Sequence, residues 1–503
     1  MLIPELTQPV IVQDLGRTLD HILVGLPALI PELILMISFV VSIVSSIWGD
    51  RRWRYASLTI TLTGIVLSGL FAVQQLFLPP VERLFFGMIT IDSFGRWART
   101  LLGIVCLLFA IFVQSNPDFT NHRKRTGDLY AILLGVHLGL NCMVLSTNWL
   151  MTFLSIEMVS IGSYLLVGYL ARNANQTEAA LKYVLFGSVC SAMMLYGLSL
   201  AYGMTGTLDF IAPEHINGLG NADSSVRAMA LLLIFVGIGF KLSLVPFHFW
   251  TPDVYQGAPT PVTALLSSAP KIAGIILLSR IYQGLSIVEN THRYLEWLLV
   301  LSAIVTMLWG NLAALRQSDV KRMMGYSSIG HTGFLLMAIV VYSPKDHVVL
   351  LFYLTVYALT NMGVFMATDY IENRTGVVNV VGYNGLGRRL PIVFIPFVAL
   401  LVSLTGLPPM AGFVAKLLVF TTVFSSWQGS SDSGLLVLLI VGTLTTVISL
   451  FYYFKIPLHA FLRKEDVSTQ FSPAQSRLLW LVVTLSIIVL LLGIFPDWLT
   501  DAF

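Results

Sequence analysis

Long apolar stretches separated by short polar segments run through almost the whole chain. A helix that crosses a membrane needs about 20 mostly apolar residues to span about 30 Å of hydrocarbon, and fourteen stretches meet this requirement. The stretches are continuously apolar, whereas the strands of a membrane β-barrel alternate between apolar and polar residues. We therefore predict an all-α polytopic membrane protein with about 14 spans. They lie near residues 27–47, 56–78, 97–114, 129–146, 149–170, 181–203, 228–250, 260–282, 295–315, 326–342, 347–369, 391–424, 434–454 and 478–496.

The composition agrees with this class of protein. Of the 503 residues, 56% are hydrophobic and 11% are charged, and the net charge is +3; soluble domains carry about 25% charged residues. These values exclude a soluble enzyme, a disordered chain and a nucleic-acid binder with a basic surface. Cys106, Cys142 and Cys190 occur singly within apolar stretches, which predicts buried free thiols rather than disulfides or metal ligands.

The basic residues between the spans predict the orientation of the chain. The loops that follow odd-numbered spans carry 18 of the 29 Lys and Arg residues, and the opposite side carries 8. Because cytoplasmic loops are enriched in Lys and Arg, we expect both termini on the outer side of the membrane. Residues 1–21 then form a short external segment, and the basic cluster 123–125 anchors the cytoplasmic side.

Four charged residues fall inside predicted spans. Lys241, Lys271 and Lys416 lie deep in spans seven, eight and twelve, and Glu157 lies in span five. A charge at mid-membrane costs at least about 2.5 kcal/mol, so such residues usually face the bundle interior or a wet cavity. A lysine held between burial and a nearby carboxylate can take up and release a proton. We predict that these four residues form a proton relay; the alternative is a set of static ion pairs that fix helix packing.

Two of the lysine-bearing spans also contain helix breakers. Proline removes a backbone hydrogen bond within a helix, and in lipid the freed carbonyls must be satisfied by protein or water. Both spans are therefore predicted to be broken and lined by polar groups, although packing kinks unrelated to transport are the alternative. The breakers are Pro246 in span seven and Gly406, Pro408, Pro409 and Gly412 in span twelve.

The placement of the two broken spans also predicts an internal repeat. Spans four to eight and nine to thirteen contain five helices each, and an odd number of helices inverts the second copy. The predicted architecture is thus two inverted five-helix repeats with broken helices seven and twelve. The predicted domains are a three-helix segment (1–128), a first repeat (129–282), a second repeat (295–455) and a C-terminal helix (456–503).

Several further polar residues are weaker candidates for a proton path. Histidine titrates near neutral pH, so His137, His248 and His331 would extend a water wire, or would simply bond a neighbouring helix. Tyr357 and Asn361 share one face of span eleven and would line an exit path or hold helices together. Three residues are expected at the ends of spans: Glu32, Asp369 and Tyr370.

Five stretches of the sequence resemble the antiporter-like membrane subunit N family of the proton-pumping NADH:quinone oxidoreductase, respiratory complex I. The resemblance covers roughly residues 125–455, and the form TPDVYQGAPTPV (251–262) favours subunit N over its paralogues L and M. The stretches are EMVSIGSYLLVGY (157–169), NQTEAALKYVLFGSVCSA (175–192), GFKLSLVPFHFWTPDVYQGAPTPVTALLSSAPKIAG (239–274), SDVKRMMGYSSIGHTGF (318–334) and LTGLPPMAGFVAKLLVF (404–420).

The resemblance implies a role for each buried charge. Glu157 corresponds to the glutamate of span five that pairs with Lys241, Lys271 to the connecting lysine, and Lys416 to the terminal lysine. Lys182, at the start of span six, is implied near the proton input, although a lysine that snorkels to the surface is equally compatible with its position. Members of this family are thought to pass protons along a watered mid-membrane axis, coupled to quinone reduction elsewhere in the complex.

The same resemblance implies the surroundings of the chain. No quinone, flavin or iron–sulfur motif occurs in it, so NADH, FMN, iron–sulfur clusters and quinone are expected in partner subunits, and the chain has no cofactor or metal of its own. The partners would be homologous antiporter-like and small helical subunits, most simply in a bacterial plasma membrane with both termini on the periplasmic side. The alternatives are a subunit of a multisubunit sodium/proton antiporter and a structural membrane subunit with static buried ion pairs.

Overall fold

A computed structural model describes most of the chain. The described residues are 22–23, 25–49, 55–120, 127–171, 174–341, 347–464, 471–472 and 476–503. The predicted external segment 1–21 and the basic cluster 123–125 lie outside them.

Fifteen long helices account for most of the described residues. They are α1 (Ile30–Val44), α2 (Ala56–Leu76), α3 (Ser93–Ser115), α4 (Gly127–Leu145), α5 (Trp149–Val167), α6 (Ala174–Thr205), α7 (Ser224–Leu242), α8 (Thr260–Ser286), α9 (Glu289–Ala314), α10 (Val320–Val340), α11 (His347–Thr375), α12 (Pro391–Thr405), α13 (Ala411–Ser430), α14 (Ser433–Pro457) and α15 (Ser476–Ile494).

Short elements connect or extend these helices. An antiparallel hairpin, β1 (Val81–Leu84) and β2 (Ile89–Ile91), follows α2. The remaining elements are 3₁₀ turns at Leu26–Leu29 and Val380–Tyr383, π turns at Ser45–Gly49 and Leu458–Leu462, and short helices at Pro117–Thr120, Pro213–Asn221, Trp250–Gly257, Leu386–Arg389 and Asp497–Thr500.

The helices confirm the predicted class of an all-α, multi-pass membrane protein. Within the described ranges, thirteen helices are long and apolar enough to cross a membrane, and each corresponds to one predicted span. The remaining predicted span, 391–424, consists of the two helices α12 and α13. We therefore keep the prediction of fourteen spans, the twelfth of which is divided into two helices.

The burial of the helices places the interior of the bundle. α8, α10 and α11 are buried along almost their whole length, whereas α1, α6, α14 and α15 expose mostly apolar side chains, as helices that face lipid do. Small residues allow close helix crossings in membranes. α9 and α10 cross in this way, because a Cβ atom at Gly310 would lie 2.5 Å from the backbone nitrogen of Gly330.

The two predicted breaks are present. α7 ends at Leu242, and Ser243 then adopts a left-handed conformation with φ of 62°. Pro246 lies in this break, as predicted. The helix itself ends earlier than the predicted end of the span at residue 250, and a short helix follows at Trp250–Gly257. α12 ends at Thr405, and Gly406 adopts φ of 85° before Pro408 and Pro409.

The breaks occupy equivalent places in the two predicted repeats. The fourth span of the first set, represented by α7, is broken, and so is the fourth span of the second set, represented by α12 and α13. This arrangement agrees with the predicted repeat architecture. The exact domain boundaries stay a prediction.

Candidate functional site

The three lysines predicted to lie in spans are all buried. Lys241 lies in the last turn of α7, just before the first break, and Lys416 lies in the second turn of α13, just after the second break. Lys271 follows Pro270 in the middle of α8. Their exposed fractions are 3%, 4% and 1%, respectively, so their side chains point into the bundle and not toward lipid.

Lys241 and Glu157 are held on neighbouring hydroxyl groups. The Lys241 ammonium donates to Ser160 Oγ at 3.1 Å, and Ser160 lies one turn after Glu157 on α5. The half-buried Glu157 carboxylate accepts a hydrogen bond from Ser191 of α6. Among the described contacts, none joins the carboxylate to the ammonium directly. The two groups implied to pair therefore share one face of α5 without an ion pair between them.

Lys271 is bonded to α10. Its ammonium donates to the carbonyl oxygen of Ser328 at 2.7 Å and to Thr332 Oγ1 at 2.8 Å. Within the part of the chain that the structure describes, no carboxylate lies within 4.0 Å of this ammonium. A buried charge without a counter-ion is costly, so the ammonium depends on these two hydrogen bonds.

Hydroxyl groups continue from Lys271 toward Lys416. Ser328 Oγ bonds the Tyr357 hydroxyl at 2.7 Å, and the Tyr357 ring lies 5.3 Å from the ring of His331. Beside them is a cavity of about 10 Å³, measured as the space open to the centre of a water-sized sphere, which is about the room that one water needs. Its lining includes His331, Tyr353, Tyr357, Thr360, Ser403 and Lys416.

Lys416 bonds a carbonyl that the second break leaves free. In a continuous helix the Thr405 carbonyl would accept from the N–H four residues later, but residue 409 is proline and has no N–H. The Lys416 ammonium donates to this carbonyl oxygen at 2.9 Å and lies 4.8 Å from the centre of the Phe334 ring. Gly406 leaves room for the lysine, because a Cβ atom there would lie 2.7 Å from Lys416 Cδ.

The secondary candidates differ in what they contact. His331 and Tyr357 line the cavity beside Lys416. His248 lies in the first break, with its ring 4.5 Å from that of Phe249 and its Nδ1 without a partner among the described groups. It has no described bond to the three lysines. His331 and Tyr357 therefore lie beside Lys416, whereas His248 lies in the first break and contacts none of the three lysines among the described groups.

Lys182 belongs to a polar cluster at the surface. Its ammonium donates to Asp253 at 2.7 Å and pairs with Glu178 at 2.8 Å, and Arg322 donates to the other oxygen of Asp253 at 2.5 Å. Burial alone would raise the pKa of Asp253, but the hydrogen bonds from Lys182 and Arg322 outweigh it and hold that pKa below its ordinary value. The cluster borders an open cavity of about 350 Å³, which leaves it accessible to water.

A buried polar network in the N-terminal helices was not predicted. Glu32 was expected at the end of a span, but it is 5% exposed and pairs with the guanidinium of Arg99 at 3.2 Å. Asn141 donates to the same carboxylate, and Gln75 accepts from Arg99. The sequence signal was Arg99 itself, which lies within the apolar stretch of span three.

Asp369 and Tyr370 also differ from the expectation that they end span eleven. α11 continues to Thr375, and both side chains are buried. Asp369 accepts a hydrogen bond from the Asn116 amide at 2.8 Å, which links the ends of α3 and α11. These residues therefore lie in contacts between helices.

Comparison with known proteins places this architecture in a class. A bundle of membrane helices with two broken spans and buried lysines beside the breaks is that of an antiporter-like membrane subunit. Residues 146–449 match the family described as the transmembrane region of NADH:quinone oxidoreductase and Mrp antiporters. NADH-quinone oxidoreductase subunit N 2 of Chloroherpeton thalassium is 38% identical over 449 residues, covering 88% of this chain and 86% of that protein.

Solved structures agree. A chain of respiratory complex I from Thermus thermophilus with bound aureothin is 29% identical with a TM-score of 0.77, over 94% of this chain and 99% of that one. A chain of the Mrp complex from Dietzia sp. DQ12-45-1b shares the fold at 20% identity, with a TM-score of 0.80, over 95% of this chain and 96% of that one. The chain belongs to the subunit N family of NADH:quinone oxidoreductase.

Proposed function

We propose that the chain is the proton-translocating membrane subunit of a complex-I-type NADH:quinone oxidoreductase. Protons move along an axis of Glu157, Lys241, Lys271 and Lys416, and quinone reduction in other subunits drives them. The observation that carries the proposal is the buried line of polar contacts from Lys271 through Ser328 to the cavity beside Lys416. A static packing role does not need a lysine that lacks a carboxylate partner.

The chemistry of the axis is electrostatic. An ionised Glu157 favours the protonated form of Lys241, and neutralisation of Glu157 makes the Lys241 proton easier to lose. α7 and α8 touch beside both lysines, because a Cβ atom at Gly274 would lie 2.7 Å from Leu242. A proton released from Lys241 reaches Lys271 through water that enters beside this contact.

From Lys271 the proton passes to the Thr332 hydroxyl, then through water to the bonded hydroxyls of Ser328 and Tyr357, and from there to the cavity. Each hydroxyl donates one proton and accepts another, so the line carries a proton without a net change in its own charge. The proton ends on a neutral Lys416 amine. Lys182 and Asp253, in the water-accessible cluster, supply protons to the first half of the axis.

The proposal includes the surroundings of the chain. NADH, FMN, iron–sulfur clusters and the quinone site belong to partner subunits, and the neighbours in the membrane are homologous antiporter-like and small helical subunits. The location is a bacterial plasma membrane with both termini on the periplasmic side. The names of the relatives and the complex I match support this assignment.

Substitution of Lys271 in the assembled complex tests the proposal. Lys271→Met removes the titratable amine, and we expect proton pumping into sealed vesicles to fall at least about ten-fold, which is about 1.4 kcal/mol on the barrier. Lys455→Met is the matched control, because Lys455 bonds the Leu315 carbonyl away from the axis. Assembly is checked by subunit content. Normal pumping by an assembled Lys271→Met complex would favour the structural alternative, and pumping that requires sodium would favour the antiporter alternative.

A further inference from the structure

We propose that Tyr453 of α14 is a positioning residue for His331, and that with Ser327 it keeps both protonation states of this histidine hydrogen-bonded. The inference rests on the proposed function, because it makes His331 the step between Lys271 and Lys416. Nothing in the sequence pattern indicated Tyr453, which lies 122 residues from His331 along the chain.

Both ring nitrogens of His331 have a tyrosine partner. Nδ1 lies 2.9 Å from the Tyr353 hydroxyl of α11, and Nε2 lies 3.2 Å from the Tyr453 hydroxyl of α14. All three side chains are buried, with exposed fractions of 7%, 2% and 1%, respectively. The imidazole is therefore fixed between two helices, and its orientation depends on these two hydroxyl groups.

The two protonation states of histidine place different demands on these partners. A neutral imidazole has one donor and one acceptor nitrogen, whereas an imidazolium has two donors. In the tautomer that carries its proton on Nδ1, the partner of Nε2 must therefore donate when the ring is neutral and accept when it is an imidazolium. A partner that could only do one of these would leave a buried polar group unpaired in the other state, which is unfavourable.

Tyr453 meets both demands because of Ser327. Its hydroxyl contacts Ser327 Oγ as well as His331 Nε2. When Nε2 is an acceptor, the Tyr453 hydroxyl donates its proton to it. When Nε2 carries a proton, the Tyr453 oxygen accepts from it, and the tyrosine proton turns to Ser327. No proton is gained or lost by Tyr453 in this exchange.

The position of His331 relates this switch to the axis. His331 directly precedes Thr332, which bonds Lys271, and it lines the cavity that also contains the Lys416 side chain. A proton that leaves Lys271 and reaches water in the cavity, which both Tyr357 and His331 line, converts His331 to imidazolium, and its transfer through the same cavity to the Lys416 amine restores the neutral ring. Tyr453 thus keeps the ring in one place during both transfers.

The adjacent residue provides a matched control. Tyr452 is equally buried on α14, and the two rings lie 4.4 Å apart. Its hydroxyl, however, donates to Asn311 Oδ1 at 3.1 Å and not to His331. Tyr452→Phe and Tyr453→Phe each remove one hydroxyl from the same helix and leave an aromatic ring. Only Tyr453→Phe removes the bond to His331 itself, because the Tyr452 hydroxyl reaches the hydroxyls of Tyr453 and Ser327 but not the ring.

The test compares these variants in the assembled complex in membranes, labelled with ¹⁵N-histidine. His331→Gln identifies the signals of the His331 ring nitrogens. We expect Tyr453→Phe to shift the Nε2 signal and to lower the number of protons pumped per quinone reduced about two-fold or more, and Tyr452→Phe to change both by clearly less. An unchanged Nε2 signal in Tyr453→Phe, or an equal shift in Tyr452→Phe, would overturn the inference.

Ser327→Ala is a second variant in case Tyr453→Phe fails to assemble. It keeps Tyr453 but removes its alternative acceptor, and we expect a smaller shift of the same signal with lowered pumping; an unchanged signal contradicts the inference. Failure of the proposed function would be seen separately from failure of this inference, because pumping would then survive Lys271→Met. Normal pumping in Tyr453→Phe beside lost pumping in Lys271→Met would overturn the positioning role alone.

Discussion

Each helix break leaves backbone groups without a partner in the helix, and the two breaks satisfy these groups in different ways. At the first break, the groups that the helix leaves free are satisfied by other elements: the Trp250 indole donates to the Phe240 carbonyl at 3.0 Å, and the Val245 N–H donates to Thr306 Oγ1 of α9 at 3.1 Å. Lys241 takes no part in this arrangement. Its ammonium bonds a side-chain hydroxyl of α5 instead.

At the second break the lysine is itself one of the groups that satisfy the freed backbone. Lys416 donates to the Thr405 carbonyl, and the Gly412 N–H donates to Ser403 Oγ at 3.1 Å. Lys416 therefore combines a structural and a chemical role, whereas Lys241 is free to change its partner. We infer that the first lysine is the more mobile carrier and that the second holds its own break together.

Removal of each lysine gives the largest expected effect and separates the two roles. We expect Lys241→Met and Lys416→Met both to lower proton pumping at least about ten-fold. Only Lys416→Met leaves a buried carbonyl without a donor, which costs about 1–3 kcal/mol. Thermal inactivation of the assembled complex measures this difference, and equal inactivation of the two variants would show that the breaks do not differ in this way.

Gly406→Ala sharpens the account of the second break. Alanine is strained at φ of 85°, and its Cβ would also lie 2.7 Å from Lys416 Cδ, so we expect a loss of about 3 kcal/mol in stability together with reduced pumping. Gly376→Ala is the control, because Gly376 has φ of 71° but no atom within 4 Å of its added Cβ. It should cost about 1 kcal/mol with normal pumping; similar pumping in both variants would contradict the proposed contact.

Acid is expected to weaken the start of α5 and not α13, which follows the second break. Trp149, the first residue of α5, donates its indole N–H to His215 Nε2 at 2.9 Å. Burial lowers the pKa of His215 to about 4, below its ordinary value, so the folded state binds fewer protons than the unfolded state between these values. Stability is present above pH about 6.5 and falls toward pH 4, by about 1 kcal/mol between pH 6.5 and 5.5.

Amide hydrogen exchange of α5 and α13 at two pH values tests this prediction. The start of α5 should exchange faster at pH 5.5 than at pH 7, after correction for the intrinsic rate, while α13 should not change. His215→Gln keeps a hydrogen-bond acceptor but does not titrate, and it should remove the pH effect. A pH effect that persists in His215→Gln would place its origin elsewhere.

The smallest expected effect tests the partner of Lys241. Ser160→Ala removes the hydroxyl that accepts from the Lys241 ammonium, and water is expected to replace part of this bond. We predict a loss of about 0.7 kcal/mol, or about three-fold in pumping rate. Ser155→Ala serves as the control, because Ser155 bonds the Thr152 carbonyl of its own helix; an equal effect in this variant would argue against a role for the hydroxyl.

Much of the fold was predictable because it depends on local properties of the chain. The length of each apolar stretch predicts a span, and Pro246, Pro408 and Pro409 predict breaks because proline lacks an N–H. Burial that depends on other helices was not predictable in this way. Glu32 and Asp369 were assigned to span ends because the distant partners Arg99 and Asn116 cannot be read from local sequence.

The site was predictable in its residue types but not in its contacts. The sequence by itself determined that charges lie within apolar spans, since a buried charge is conspicuous in any hydrophobic stretch. Only the tertiary structure decided that Glu157 does not touch Lys241, that Lys271 bonds residues 57 and 61 positions away, and that Tyr453 meets His331. Each of these depends on the rotation and depth of one helix against another, which packing of the whole bundle sets and no single stretch of sequence specifies.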